Sequence, residues 1–165
     1  MNKGILLSEI EKCYLHKEDL TKTLSNFNKI IILGNGGSSS IASHITQDYT
    51  KKLKKISFTF SDPSRLTCYA NDYGYENSYR QFLSEFATND TLVVLISSSG
   101  NSLNILNCAE WCEINEISTI TLTGFSCDNS LKTKDMKKRI INYHVSSEDY
   151  GIVECVHTIF LHMVV

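Results

Sequence analysis

Residues 91–102, TLVVLISSSGNS, set an unbroken apolar run directly before a cluster of serines around one glycine. A run without alternation fits a strand buried on both faces, because a strand with one wet face alternates apolar and polar residues. Residues 29–40, KIIILGNGGSSS, repeat the arrangement. Helix-like spacing follows each loop. Ser38 to Leu53 carries Ile41, Ala42, Ile45 and Tyr49, with Ser38 as the expected cap, and 101–115 reads NSLNILNCAEWCEIN. Working outward, ISFTF (56–60), STITLTG (118–124) and RIINYHV (139–145) bring the strands to five, at 29–33, 56–60, 91–96, 118–123 and 139–145.

The segments between them read as helices. Residues 3–26 predict one helix through Ile5, Leu6, Ile10, Cys13, Tyr14, Leu20 and Leu24. SDPSRLTCYA predicts a short helix with Asp62 before a first-turn Pro63. NDYGYE (71–76) predicts a loop, NSYRQFLSEFA a helix, and the stretch from Tyr150 a last helix through Val153, Val156, Ile159, Phe160 and Met163. Strands alternating with helices specify an α/β three-layer sandwich around a five-stranded parallel sheet. We read 1–165 as one domain, with an N-terminal helix over 1–27 and an α/β core over 28–165.

Composition narrows the function. With 42% hydrophobic and 21% charged residues, the 165-residue chain can build one sizeable core. One proline and eight glycines argue against a low-complexity linker. The net charge of −2 carries no long run of one sign, so no nucleic-acid partner is expected. KKLKK (51–55) reads as a solvated helix end. No run of spanning length and no signal-peptide pattern is present, so no membrane partner is expected. Six scattered cysteines without a C-x-x-C pair fit a reducing, cytoplasmic setting better than a disulfide scaffold.

In open α/β sheets ligands bind at the carboxyl ends of the strands, where both serine loops fall. Gly36 and Gly37 let backbone approach a ligand, the helix start behind them favours an anion, and Ser97, Ser98, Ser99 and Ser102 add hydroxyls. Neither the dinucleotide G-x-G-x-x-G pattern nor the P-loop lysine motif occurs. Either loop alone is equally well explained by ordinary caps and tight turns. Two together favour a small phosphorylated metabolite. His44 and Asp48, four apart, share a helix face, while Glu154, His157 and His162 lie on the last helix. Glu154 and His162 are about 12 Å apart along the axis, so they share a centre only if both lean inward. Spacing alone favours an exposed pair for the first two and satisfied core or interface histidines for the others.

Taken together, GNGGSSSIASHITQD, ANDYGYE, ISSSGNS, ITLTG and VECVHTIFLH resemble the sugar isomerase (SIS) domain family, and within it the sedoheptulose 7-phosphate (phosphoheptose) isomerases. The resemblance runs from about Lys29 to the C-terminus. It implies a flavodoxin-like strand order and a homotetramer, with the N-terminal helix in oligomer packing and active sites at subunit interfaces. It implies phosphate held by Ser97, Ser98, Ser99 and Ser102, with Asn35, Gly36, Gly37 and Ser38 nearby, and substrate contacts from Asn71, Asp72 and Glu154. Zinc would sit on His44, Asp48, Glu154 and His162. Asp48 and His162 would share the proton work that turns sedoheptulose 7-phosphate into glycero-manno-heptose 7-phosphate, feeding heptose synthesis for lipopolysaccharide or capsule.

Three positions depart from the family pattern. Asp48 stands for a glutamate, Glu154 for a glutamine, and Ile152 for an arginine. The first segment is shorter than usual, and the last helix is expected to be clipped. The competing expectation is a non-catalytic SIS module, either a replication-initiator-binding protein or a sugar-phosphate sensor. His44 and His162, with carboxylates at both other positions, favour the enzyme.

Overall fold

Consecutive apolar residues fill the central strands because both faces of the sheet are covered. In the computed structural model, which describes residues 1–165, Ile30 and Ile32 of β1 (Lys29–Gly34) join one core, and Ile31 and Leu33 join the other. In β3 (Thr91–Ser97), Leu92, Val94 and Ile96 face the first core, and Val93 and Leu95 the second. The remaining strands are β2 (Ile56–Phe58), β4 (Ser118–Thr123) and β5 (Arg139–His144). All pair in parallel in the order β2-β1-β3-β4-β5. This matches the expected fold class and strand order.

The first face is covered by α1 (Lys3–Tyr14), α2 (Lys17–Ser25), α3 (Gly37–Leu53) and α8 (Tyr150–His162). The second is covered by α4 (Pro63–Tyr73), α5 (Tyr75–Phe86), α6 (Leu103–Ile114) and the short α7 (Ser130–Thr133). Phe160 of α8 is fully buried and stacks on Tyr143 at 4.6 Å. Truncating such an aromatic to alanine costs about 3–5 kcal/mol.

Four local expectations are corrected. The N-terminal helix is two helices, interrupted at Leu15–His16. The break lets Cys13, Leu20 and Leu24 all reach the first core, and the His16 ring packs edge-on against Tyr143 at 5.3 Å. Strand β2 ends at Phe58, two residues early, because Phe60 leaves the sheet to stack on Phe82 at 4.7 Å. NDYGYE is not a loop. Asn71, Asp72 and Tyr73 finish α4, Tyr75 and Glu76 start α5, and the joint is Gly74 alone, at φ +80°. Only glycine adopts that angle without strain. Finally, Ser38 does not cap α3. The helix starts one residue earlier, with Gly36 at the cap position and no side-chain bond there.

Candidate active site

The two serine loops meet at the carboxyl ends of β1 and β3, as their place after adjacent parallel strands dictates. They form a pocket of about 250 Å³ lined by Asn35 to Ser38, Ile96 to Ser99, Ser102, Tyr150 and Glu154. Helices α3 and α6 both begin here, and neither receives a side-chain cap. Of the other helices, α1, α4, α7 and α8 are capped by Asn2, Asp62, Asn129 and Asp149, while α2 and α5 are also without a side-chain cap. Uncapped first-turn amides aimed at a pocket favour an anion. Ser97 donates to Ser102 at 3.3 Å, and the buried Ser98 hydroxyl has no hydrogen-bond partner.

Asn35 is fixed by partners outside the loops. Its amide and that of the buried Asn104 bond reciprocally at 2.9 and 2.8 Å, and the Tyr75 hydroxyl donates to the Asn35 carbonyl at 2.9 Å. Sequence reading passed over Asn104, Tyr75 and Tyr150. A polar residue on a buried helix position was the available signal for Asn104. Tyr150, at the first position of α8, packs edge-on against Phe125 at 4.7 Å. Asn71 and Asp72 do not line the pocket. They are exposed at the end of α4, where the Asp72 carboxylate accepts from Asn71 at 3.0 Å and from Cys68 at 3.5 Å.

A second group forms where α3 and α8 pack together. His44 Nε2 lies 3.9 Å, and His162 Nε2 3.4 Å, from the same oxygen of Asp48. The Lys52 ammonium reaches that oxygen at 3.1 Å. This hydrogen-bonded ammonium, aided by the two imidazoles, holds the Asp48 carboxyl below the usual range against the opposing pull of desolvation. Next to Asp48, the buried Tyr49 hydroxyl donates to the Leu161 carbonyl at 2.9 Å, one residue before His162. That bond sets the two helices in the register that brings Asp48 and His162 together.

His162 Nδ1 lies 3.0 Å from the Thr158 carbonyl. A carbonyl only accepts, so Nδ1 carries a proton, and Nε2 is the ring atom left facing Asp48. The ligand atoms of His44, Asp48 and His162 all fall within 4.8 Å of one another, and two imidazole nitrogens with a carboxylate are a donor set that suits a divalent metal. These three residues can hold a metal ion. Glu154 is not in this group: eight residues back on α8, it faces the serine pocket instead. Its carboxylate lies directly over the α-carbon of Gly37, where any side chain at residue 37 would collide with it. Ile152 is buried in the first core, so the departure from arginine exchanges a charge for packing.

No helix is long and apolar enough to cross a membrane, and all six cysteines are free. The SIS domain family matches residues 15–124. The phosphoheptose isomerase of Helicobacter pylori strain ATCC 700392 / 26695 is 34% identical over 151 residues, covering 87% of this chain and 76% of that protein. That of Aliarcobacter butzleri is 33% identical over 150 residues, with 87% and 76% covered. The structure of a phosphoheptose isomerase from Neisseria gonorrhoeae superposes with a TM-score of 0.81 at 24% identity, over 95% of this chain and 87% of that one.

Proposed function

This chain belongs to the SIS-domain family and, within it, to the phosphoheptose isomerases, and on that premise we propose that it interconverts sedoheptulose 7-phosphate and glycero-manno-heptose 7-phosphate. The observation that carries the reading is the meeting of Asp48 and His162 from two different helices, on the same α8 that reaches the serine pocket.

The reaction moves a carbonyl from C2 to C1. A proton leaves C1, an enediolate forms, and a proton returns at C2 while another passes between the two oxygens. Ser97, Ser98, Ser99 and Ser102, with the amides at the starts of α3 and α6, hold the phosphate and so fix the sugar's other end. Asp48 and His162 flank the two carbons. The Lys52 ammonium weakens Asp48 as a base, which shifts the larger share of proton transfer to His162. The bond from Nδ1 to Thr158 keeps the His162 ring turned for that work. Zinc bound by His44, Asp48 and His162 would supply Lewis-acid polarisation of a sugar oxygen. Asn71 and Asp72 would contact substrate from a neighbouring subunit or after movement of α4.

A homotetramer in the cytoplasm, with sites at subunit interfaces, completes the reading. Exposed Ile5, Leu7, Tyr14 and Leu15 on and just after α1 offer apolar surface for such packing, and six free thiols suit a reducing compartment. The test is turnover of sedoheptulose 7-phosphate by the purified protein, with and without added zinc. Product formation that depends on His162 supports the assignment. A folded tetramer that forms no product in either condition refutes it.

A further inference from the structure

We propose that Glu154 sets the charge selectivity of the serine pocket, its carboxylate standing where part of an incoming anion would otherwise sit. The inference rests on the phosphate-ester reading above and adds what that pocket accepts and rejects.

Four observations converge. Of the eleven residues that line the pocket, Glu154 is the only one with an ionised side chain, and no lysine, arginine or histidine is among them. The Glu154 carboxylate lies over Gly37, in the first turn of α3, and that turn has no side-chain cap. A negative group seated there is stabilised by the partial positive end of the helix. The close ion contacts of this chain involve Asp149, Glu9 and Asp48, so no cation neutralises Glu154. Ser99 and Ser102, both half-buried, line the same pocket, so hydroxyl donors remain for a ligand beside the carboxylate.

An incoming phosphate therefore meets a fixed negative charge and shares the helix ends with it. Two like charges a few ångströms apart in a partly dry pocket repel strongly. A ligand that brings hydroxyl donors to Glu154 and one phosphate to the serines recovers much of that cost. Inorganic phosphate recovers only what its P–OH can donate, less than a polyhydroxy chain offers, and a bisphosphate adds a second repulsion. The pocket thus favours a singly phosphorylated polyhydroxy compound over denser anions.

Titration calorimetry with inorganic phosphate tests this on wild type, Glu154→Gln and Glu154→Ala at matched zinc content. The expected result is tighter phosphate binding by both variants, by about ten-fold or more, with a smaller gain for sedoheptulose 7-phosphate. Alanine suits a helix interior, so the second variant gives the same reading should the first fail to fold. Equal or weaker binding in the variants overturns the inference and leaves the isomerase assignment standing. Tightening by alanine alone assigns the effect to space rather than charge and also overturns it. No phosphate binding by any of the three overturns it together with the phosphate pocket. Tighter phosphate binding without turnover of sedoheptulose 7-phosphate by wild type leaves the inference intact and removes the isomerase.

Discussion

The serine pocket and the His44–Asp48–His162 group are built by different means. The pocket is mostly contiguous chain: two strand-to-helix turns whose backbone, glycines and hydroxyls arrive already assembled. The group is side chains from two helices far apart in sequence, meeting only because α3 and α8 pack on one face of the sheet. The first therefore tolerates loss of one member. The second depends on a packing register that each of its members needs.

The largest expected effect separates the two regions. Replacing His162 with alanine removes the proposed proton carrier and should lower kcat by about 1,000-fold, while phosphate binding stays at the wild-type value. Loss of phosphate binding as well, in a folded protein, would show that the regions are not separable.

The next effect probes what they share. His157 lies on α8 between Glu154 and His162, fully buried, with its Nε2 donating to the Thr123 carbonyl at 3.1 Å. Burial pushes its pKa down to about 4, from an ordinary value of 6.5. Between those values the unfolded chain binds a proton that the fold cannot accept, so stability rises with pH across the window. It is intact above about pH 6.5 and falls toward pH 4 by up to about 3 kcal/mol. Urea unfolding across this range should show the slope, and His157→Met should flatten it. An unchanged slope in the variant would place the acid sensitivity elsewhere and unlink α8 from both regions.

A smaller effect belongs to the pocket. Ser98→Ala should raise KM about ten-fold, the worth of one hydrogen bond to a charged group, with kcat nearly unchanged. Since the Ser98 hydroxyl has no partner in the protein, stability should hold or rise slightly. A drop in stability would mean that the hydroxyl is structural. An effect of similar size belongs to the group. Tyr49→Phe should cost about 1–2 kcal/mol in thermal unfolding by leaving the Leu161 carbonyl unpaired. It should lower kcat more than it raises KM. Equal changes in both would deny the bond its part in aligning Asp48 with His162.

The same contrast explains what the sequence revealed. Continuous apolar runs in β1 and β3 announce a sheet covered on both faces, and serine-glycine turns after them announce the pocket, because both are properties of neighbouring residues. The interruption at His16 is different. Nothing local demands it, and it follows from the ring finding Tyr143 and from Leu20 finding the core. Phe60 ends β2 early for a similar reason, drawn to Phe82. Glu154 shows the limit most sharply. Family resemblance groups it with His44 and His162, but the turn of α8 directs it to the other region. Asn104 was hidden because its partner, Asn35, is 69 positions away.

The phenol of Tyr49 finds its acceptor in a peptide group rather than in a side chain. A main-chain carbonyl is present whatever residue follows Phe160, so drift from leucine to isoleucine or methionine at 161 leaves the tether intact. Position 49 has no such freedom, since only tyrosine carries a hydroxyl on so long and rigid an arm. The alignment of Asp48 with His162 therefore hangs on one side chain instead of two, halving the number of places where mutation can undo it.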